Sequence, residues 1–348
     1  MTNKQKWLTA LFIVVLALGY VGYDLFSLQS GLESASDATL ETASANTQAH
    51  SPTAPISSYD SFAVSVENQV SVEVHMRESP TATANIFMIH GAGGGAWVWE
   101  AYFEQLPERY NLYAISWRGH FTSSAVDNAD AADYVVDQLA VLAALESRNN
   151  LPIHVVGHSY GGATSVLTAA QAADRIASLH LVAPVVPLDY TIIQEQLVPL
   201  IMAPILTNAS AQALTAAEEA ARTGEEMQAS GTFAGMFIDQ PQMERYWDLY
   251  AVKPYSVEKP GLIAVDGLDP AWQVELERAY AAVGESGIPV WILIARYDNV
   301  VIPAEQRETA QEMGASAVVF ESGHYIQLDS QAEASVDFIL TNLNEVDS

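Results

Sequence analysis

The chain has 348 residues, half of them hydrophobic, with 42 acidic side chains against 14 basic ones and no cysteine. This length and apolar content predict a folded domain with a sizeable core rather than a disordered chain. A net charge of −28 argues against nucleic-acid binding, because a phosphate backbone needs a basic surface, and the lack of cysteine excludes disulfides and thiolate catalysis.

The N-terminus predicts a membrane anchor. Lys4 and Lys6 precede an uncharged run of 17 residues, WLTALFIVVLALGYVGY at 7–23. This run is at the short limit for a membrane span and slightly longer than a usual signal-peptide core. We predict that residues 1–26 form an uncleaved signal anchor, with the domain exported to the periplasmic side because the positive charges precede the span. A cleaved signal peptide and a secreted domain are the alternative.

A linker and a hairpin follow the N-terminal segment. Residues 27–60 are rich in Ser, Ala, Thr and Pro and have no sustained apolar period, which predicts a flexible linker to a folded domain at 61–348. At the start of that domain, residues 64–67 and 70–76 alternate between apolar and polar side chains. This alternation predicts an antiparallel β-hairpin.

Short and nearly continuous apolar runs make up the rest of the predicted sheet, as is typical of parallel strands covered on both faces. They are IFMIH (86–90), LYAISW (112–117), IHVVG (153–157), LHLVA (179–183), VWILIA (290–295) and AVVFE (317–321). Helical patterns lie between or after them, at 131–145, 163–173, 303–313 and 331–343. We therefore predict an α/β fold, a mostly parallel, doubly wound sheet with an antiparallel N-terminal hairpin.

One connection is much longer than the others. About 105 residues separate Ala183 from Pro289, with helical stretches of their own at 209–229, 241–251 and 270–283. A structureless loop of that length is implausible in a compact domain. We predict a helical lid, inserted at about 187–286, over the carboxyl ends of the strands.

The stretch GHSYG, residues 157–161, follows the predicted strand at 153–157. A serine between two glycines fits a tight strand-to-helix turn that presents a nucleophile, because bulky neighbours would clash there. The following helix points its positive dipole end at the site. An ordinary glycine-rich turn with an idle serine has the same pattern, so Ser159 is a candidate nucleophile only together with other motifs.

A second glycine-rich turn, HGAGGGAW at 90–97, ends the strand at 86–90. Such a turn lets backbone N–H groups approach a substrate oxyanion. We assign the two donors to the N–H groups of Ala92 and Tyr160, with Gly93 as the alternative to Ala92.

An acid and a base complete the predicted site. Asp298 lies in ARYDNVVIP just past a buried strand, and His324 lies in ESGHYIQLD after the last strand. A carboxylate in that position can hold an imidazole, and the chain order is Ser, Asp, His. Asp189 is the alternative acid, whereas Asp329 follows the histidine too closely.

These motifs resemble the α/β-hydrolase superfamily, serine esterase and lipase type, over residues 62–343. The glycine-rich turn is similar to that of monoacylglycerol-lipase-like and plant-methylesterase-like enzymes. SWRGHFTSS at 116–124 is similar to their R-G-H-G-x-S segment, with Phe121 in place of the usual glycine. The resemblance implies that Ser159 attacks an acyl carbonyl, that His324 transfers the proton and that Asp298 orients the imidazole, without a metal or organic cofactor.

We predict a serine hydrolase of small or medium carboxylic esters, with a small-molecule ester as substrate and the membrane as a contact of the N-terminal segment. Aromatic lid residues are candidates for the acyl pocket: Trp247, Phe237 and Tyr190. The alternatives are an amidase or peptidase, a C–C hydrolase, a perhydrolase, and a non-catalytic ligand-binding protein on the same scaffold. Among the remaining histidines, His90, His120 and His158 are predicted to serve structure rather than catalysis.

Overall fold

The computed structural model describes residues 41–42, 55–92, 94–126, 129–187, 270–298 and 300–347. The described strands are β1 (Glu41–Thr42), β2 (Asp60–Ser65), β3 (Ser71–Arg77), β4 (Ala84–Ile89), β5 (Tyr110–Ser116), β6 (Ile153–His158), β7 (Ser178–Val182), β8 (Val290–Ala295) and β9 (Ser316–Phe320). The described α-helices are α1 (Glu100–Gln105), α2 (Ala131–Asn149), α3 (Tyr160–Gln171), α4 (Pro270–Ser286), α5 (Pro303–Glu312) and α6 (Ala332–Val346).

The described strands form one sheet in the order β1-β9-β8-β7-β6-β4-β5-β3-β2. β2 pairs with β3, and β3 with β5, in antiparallel fashion, while the remaining pairs are parallel. The predicted α/β fold with an antiparallel hairpin at its start is therefore confirmed. The hairpin turns through a short 3₁₀ segment, Glu67–Gln69, and Gln69 adopts a positive φ of 66° there.

The continuous apolar runs reflect burial on both faces of the sheet. Every residue of β4, β5, β6 and β7 is buried, whereas β2 alternates between exposed and covered positions. One face packs against α2, α3 and α4, with Tyr134, Ala163 and Leu276 in its core. The other face packs against α1 and α6, with Tyr102 and Ile339 in its core.

Local signals set the ends of the covering helices. Asp130 accepts a hydrogen bond from the backbone of Asp133, whose own side chain accepts one from the backbone of Asp130, so α2 begins at a capping box. The same helix ends at Asn150 in the left-handed conformation, with φ 50°. α5 begins with Pro303, whose fixed φ suits the first helical position.

The predicted lid lies mostly outside the described residues, and so do its helical stretches at 209–229 and 241–251. The stretch predicted at 270–283 is described, and it is the helix α4, which packs against α3. The lid as a whole stays a prediction.

The predicted membrane-anchored localisation is wrong. No helix within the described parts of the chain is both long and apolar enough to cross a bilayer. The run at 7–23 on which that prediction depended lies outside the described residues.

Candidate active site

Three polar side chains meet at the carboxyl edge of the sheet. Ser159 lies between β6 and α3, Asp298 follows β8, and His324 follows β9. All three are nearly buried, with 7%, 7% and 3% of their surface exposed. Since parallel strands end at the same edge, residues that are 139 and 26 positions apart in the chain come into contact there.

Ser159 adopts a strained backbone conformation, with φ 55° and ψ −123°. Such conformations cost about 1–3 kcal/mol and persist only where the surroundings impose them. Here the serine N–H donates to Val182 O at 3.0 Å, and the N–H of Val185 donates to Ser159 O at 3.0 Å. A Cβ at Gly161 would overlap the carbonyl oxygen of His90, so glycine is required at that position.

His324 is hydrogen-bonded at both ring nitrogens. Its Nε2 lies 2.9 Å from Ser159 Oγ, and its Nδ1 lies 2.7 Å from Asp298 Oδ2. An ionised carboxylate only accepts hydrogen bonds, so Nδ1 carries the proton and the Nε2 lone pair faces the serine hydroxyl. The other oxygen of Asp298 accepts the N–H groups of Val300 and Val301, at 2.8 and 3.0 Å.

Of the two other carboxylates considered for the acid, Asp189 and Asp329, the structure describes only Asp329. Asp189 lies outside the described residues. Asp329 is buried and accepts hydrogen bonds from Ser322 Oγ at 3.0 Å and from the N–H of Gly323 at 3.1 Å. Asp329 therefore holds the loop that carries His324, and Asp298 is the described carboxylate that contacts the His324 ring.

His158 packs beneath the turn. Its Nε2 lies 3.1 Å from the carbonyl oxygen of His324, and the two rings are 4.8 Å apart. Because a carbonyl only accepts, Nε2 of His158 carries the proton. Burial, with the neighbouring His324 as a second cause, lowers the pKa of His158 well below its ordinary value. A neutral His158 thus supports the backbone of His324, as the sequence predicts for a structural residue.

The glycine-rich turn lies directly against the serine. A Cβ at Gly91 would lie 2.8 Å from Ser159 Cβ, and the turn closes with a 3.0 Å bond from the N–H of Gly94 to Gly91 O. His90 holds this turn, because its Nε2 accepts the N–H of Trp117 at 3.2 Å, so its Nδ1 donates to Gly91 O at 2.7 Å. Burial lowers the pKa of His90 well below its ordinary value.

The predicted oxyanion donors lie on the two sides of this contact. Ala92 is in the glycine-rich turn and is exposed, while Gly93, the alternative donor, lies outside the described residues. Tyr160 is the first residue of α3, so its N–H is at the positive end of the helix dipole. Within the described ranges, no group of three or more His, Cys, Asp or Glu side chains is arranged to hold a metal ion.

Comparison with known proteins identifies the family of this chain. The profile of the alpha/beta hydrolase family matches residues 86–338. The chain belongs to the alpha/beta hydrolase family. A lipase of Mycobacterium tuberculosis, LipV, is 32% identical over 127 residues, which are 36% of this chain and 46% of that protein. The match thus spans less than half the length of this relative.

Solved structures show the same fold. An esterase of Exiguobacterium antarcticum has a TM-score of 0.63 at 17% identity, covering 83% of this hydrolase and 100% of that chain. An enol-lactonase of Burkholderia xenovorans has a TM-score of 0.61 at 19% identity, covering 81% and 100%. At these identities the likeness concerns the fold alone.

Two features of the hydrolase near the site escaped the sequence analysis. Arg118 forms ion pairs with Asp137 at 2.6 Å and Asp133 at 2.5 Å, and it fixes the loop after β5 to α2. The i, i+4 spacing of the two carboxylates was a usable signal, because it places both on one helix face. Their arginine partner, however, lies in another segment, and its position depends on the fold.

The second feature is a group of aromatic rings around the serine turn. Tyr160 stacks on Trp272 of α4, with ring centroids 5.7 Å apart, and Trp117 stacks on Tyr134 at 4.3 Å. Tyr160 also meets Tyr134 edge-on at 6.2 Å. Trp272 belongs to the predicted lid. The three candidates named for the acyl pocket, Trp247, Phe237 and Tyr190, lie outside the described residues.

Proposed function

We propose that this hydrolase cleaves carboxylic esters of small or medium acyl length through a covalent acyl-enzyme on Ser159. The observation that carries the proposal is the hydrogen-bonded series from Ser159 Oγ to His324 Nε2 and from His324 Nδ1 to Asp298, at 2.9 and 2.7 Å. A buried serine whose hydroxyl meets the lone pair of an imidazole is the arrangement that activates a weak nucleophile.

In the first half of the reaction, Ser159 Oγ attacks the acyl carbonyl carbon while His324 Nε2 takes the serine proton. The tetrahedral intermediate collapses, the ester C–O bond breaks, and His324 returns the proton to the leaving alcohol. In the second half, water attacks the acyl-enzyme, and His324 takes a proton from water and returns it to Ser159. Asp298 holds the Nδ1–H tautomer and stabilises the imidazolium in both halves.

The developing oxyanion is assigned to the N–H groups of Ala92 and Tyr160. The contact between Gly91 and Ser159 places the glycine-rich turn beside the nucleophile, and Tyr160 begins a helix whose dipole favours negative charge. Backbone donors of this kind are preorganised, so the site does not have to reorganise as charge develops.

The ester class is supported by the relatives. One sequence relative is a lipase and another is a methyl ester esterase, each matched over less than half of its length. An amidase, a carbon–carbon hydrolase or a perhydrolase would need the same three side chains. The test below is therefore designed to distinguish ester cleavage from these alternatives. The strained backbone of Ser159 favours catalysis over a non-catalytic ligand-binding role, because a ligand-binding pocket does not require a serine in that conformation.

The test is a panel of p-nitrophenyl acetate, butyrate, octanoate and palmitate, with the matching p-nitroanilides as amide controls. We expect the highest kcat/KM between acetate and octanoate, and a pre-steady-state burst of about one p-nitrophenol per chain, because the good leaving group makes acylation faster than deacylation. A faster anilide than ester reaction would favour an amidase. Absence of turnover on every substrate, with the fold intact by circular dichroism, would contradict the proposal.

A further inference from the structure

Phe121 lies against the glycine-rich turn. A Cβ added to Gly95 would lie 2.5 Å from both Cδ2 and Cε2 of the Phe121 ring, so a larger residue there would have to displace the ring or the turn. The same ring meets Trp97 edge-on, with centroids 6.2 Å apart. The Phe121 side chain and the absence of a side chain at Gly95 are therefore complementary.

The backbone of Phe121 is strained. Its φ is 49°, in the left-handed region that L-residues with large side chains rarely adopt. Glycine would adopt this conformation without cost. A phenylalanine persists in such a position only when surrounding contacts impose it, and the contact made by its ring is with the turn.

The loop that carries Phe121 is itself fixed to the turn. Ser123 Oγ donates to Ser116 O at 2.5 Å, and the hydroxyl of Ser116 accepts the N–H of Ala96 at 3.2 Å. The N–H of Ser123 also donates to His120 O at 3.1 Å. Hydrogen bonds thus hold the backbone of this loop close to the residues that follow the turn, which keeps Phe121 beside Gly95.

We propose that Phe121 is a positioning residue for the hydrolase reaction: its ring packs beside Gly95 and, through the 3.0 Å hydrogen bond from the N–H of Gly94 to Gly91 O, holds Gly91 beside Ser159 and so fixes the direction of the Ala92 N–H. The turn has no room for a side chain at either end, since a Cβ added to Gly91 would lie 2.8 Å from Ser159 Cβ and a Cβ added to Gly95 would lie 2.5 Å from the Phe121 ring. The role in oxyanion binding rests on the function proposed above.

The size of the expected effect follows from the geometry that an oxyanion donor requires. A donor must lie within hydrogen-bond distance of the oxyanion, and losing one typically lowers kcat by about 10²–10³-fold. A turn that is displaced rather than lost should cost less. We expect Phe121→Gly to lower kcat on the order of 10- to 100-fold, with KM changed by less than about threefold, because the donor acts mainly on the transition state.

The experiment combines Phe121→Gly, Gly95→Ala, the double variant and Phe121→Tyr. Gly95→Ala alone should also lower kcat, because its new methyl group pushes the turn away from the ring. The double variant should be no slower than Phe121→Gly, since removal of the ring makes room for that methyl group. Phe121→Tyr keeps the ring and should recover most of the kcat lost in Phe121→Gly.

Gln69→Gly is the matched control, because it places a glycine at another positive φ, 66°, in the hairpin turn and so relieves the same kind of backbone strain. Gln69→Gly should leave kcat unchanged, and it should change the free energy of unfolding in the same direction as Phe121→Gly. An equal kcat in wild type and Phe121→Gly, or losses that multiply in the double variant, would overturn the proposal.

Amide hydrogen exchange of the segment 90–97 tests the same claim without any substrate. We expect faster exchange in Phe121→Gly than in wild type or Gln69→Gly, and unchanged exchange would overturn the proposal. If wild type cleaves no ester, the proposed function fails, and the exchange measurement still decides whether Phe121 fixes the turn.

Discussion

Two sets of serine, histidine and aspartate lie at opposite ends of the parallel strands. The carboxyl-end set is the one described above: Ser159, His324 and Asp298. In the amino-end set, His154 Nδ1 lies 2.7 Å from Ser178 Oγ, and His154 Nε2 lies 3.2 Å from Asp347 Oδ1. Both sets contain a buried histidine with a hydroxyl on one ring nitrogen and a carboxylate on the other.

The sets differ in how the serine is presented. Ser178 begins β7, is fully buried and has an ordinary strand conformation. Ser159 lies in a strained turn before a helix, with the glycine-rich turn beside it. Because the hydrogen bonds of the two sets are similar, we propose that the chemistry belongs to the set whose serine lies at a helix N-terminus beside the glycine-rich turn.

The largest expected difference is between the two serines. Ser159→Ala should lower kcat/KM for esters on the order of 10⁶-fold, because no other group forms the acyl-enzyme. Ser178→Ala should leave kcat/KM unchanged and lower the free energy of unfolding by about 1 kcal/mol, through one lost hydrogen bond. Ester kinetics of both variants measure the change in kcat/KM, and urea unfolding measures the change in the free energy of unfolding. A large kinetic loss in Ser178→Ala would remove the distinction between the sets.

The two carboxylates provide the next comparison. Asp298→Asn should lower kcat on the order of 10⁴-fold, because an amide no longer holds the Nδ1–H tautomer of His324. Asp347→Asn should not change kcat, since its partner His154 takes no part in the proposed reaction. Steady-state kinetics at pH 7 decide the matter, and nearly full activity of Asp298→Asn would point to another acid, with Asp189 as the first candidate.

Acid should lower the free energy of unfolding through the buried histidines of β6 and β7. Burial lowers the pKa of His154 and lowers that of His180 to about 3. Histidines titrate near 6.5 in the unfolded chain, so the unfolded state binds more protons below that pH. The stability that these groups provide is present above about pH 6.5 and is lost as the pH falls toward their folded values.

His180 offers a clean test, because neither of its ring nitrogens has a hydrogen-bond partner among the described residues. In His180→Leu, the fall of the unfolding free energy between pH 6 and 4 should be smaller by about 1.4 kcal/mol per pH unit. Urea unfolding across that range measures the slope. Equal slopes in both proteins would mean that His180 takes up a proton in the folded state.

The smallest expected effect concerns backbone strain. Relative to the alanine variant at the same position, Ser159→Gly should raise the free energy of unfolding by about 1 kcal/mol, because glycine accepts the strained conformation. Relative to Ser178→Ala, Ser178→Gly should lower it by about 0.5–1 kcal/mol, because glycine weakens a strand. Urea unfolding curves of the four variants measure the difference in unfolding free energy between the glycine and the alanine variant at each position. If that difference had the same sign at both positions, Ser159 would not be held under strain.

Most elements of the fold could be predicted because they have a local signature, but the strand β1 and the short helix α1 were not predicted. Continuous apolar runs marked the strands, and the helix predicted at 131–145 appears as Ala131–Asn149. The candidate residues Ser159, Asp298 and His324 could be named because each follows such a run. The carboxyl ends of parallel strands meet at one edge, so order along the chain was enough to bring them together.

Contacts set by register could not be predicted in this way. His154 and Ser178 are direct register partners on β6 and β7, but the sequence contains no signal for that alignment. Asp347 reaches them from the end of α6, which only the tertiary packing places there. The positive φ of Phe121 is likewise not a preference of phenylalanine, and nothing in the local sequence indicates it.

The central claim is that Ser159 is the nucleophile, and covalent labelling tests it most directly. Wild type and Ser178→Ala would be treated with a fluorophosphonate, digested, and mapped by mass spectrometry while ester turnover is followed. The account predicts one label per chain, on Ser159 in both proteins, with turnover lost in proportion to labelling. A label on any other residue, or turnover that persists in fully labelled protein, would contradict it.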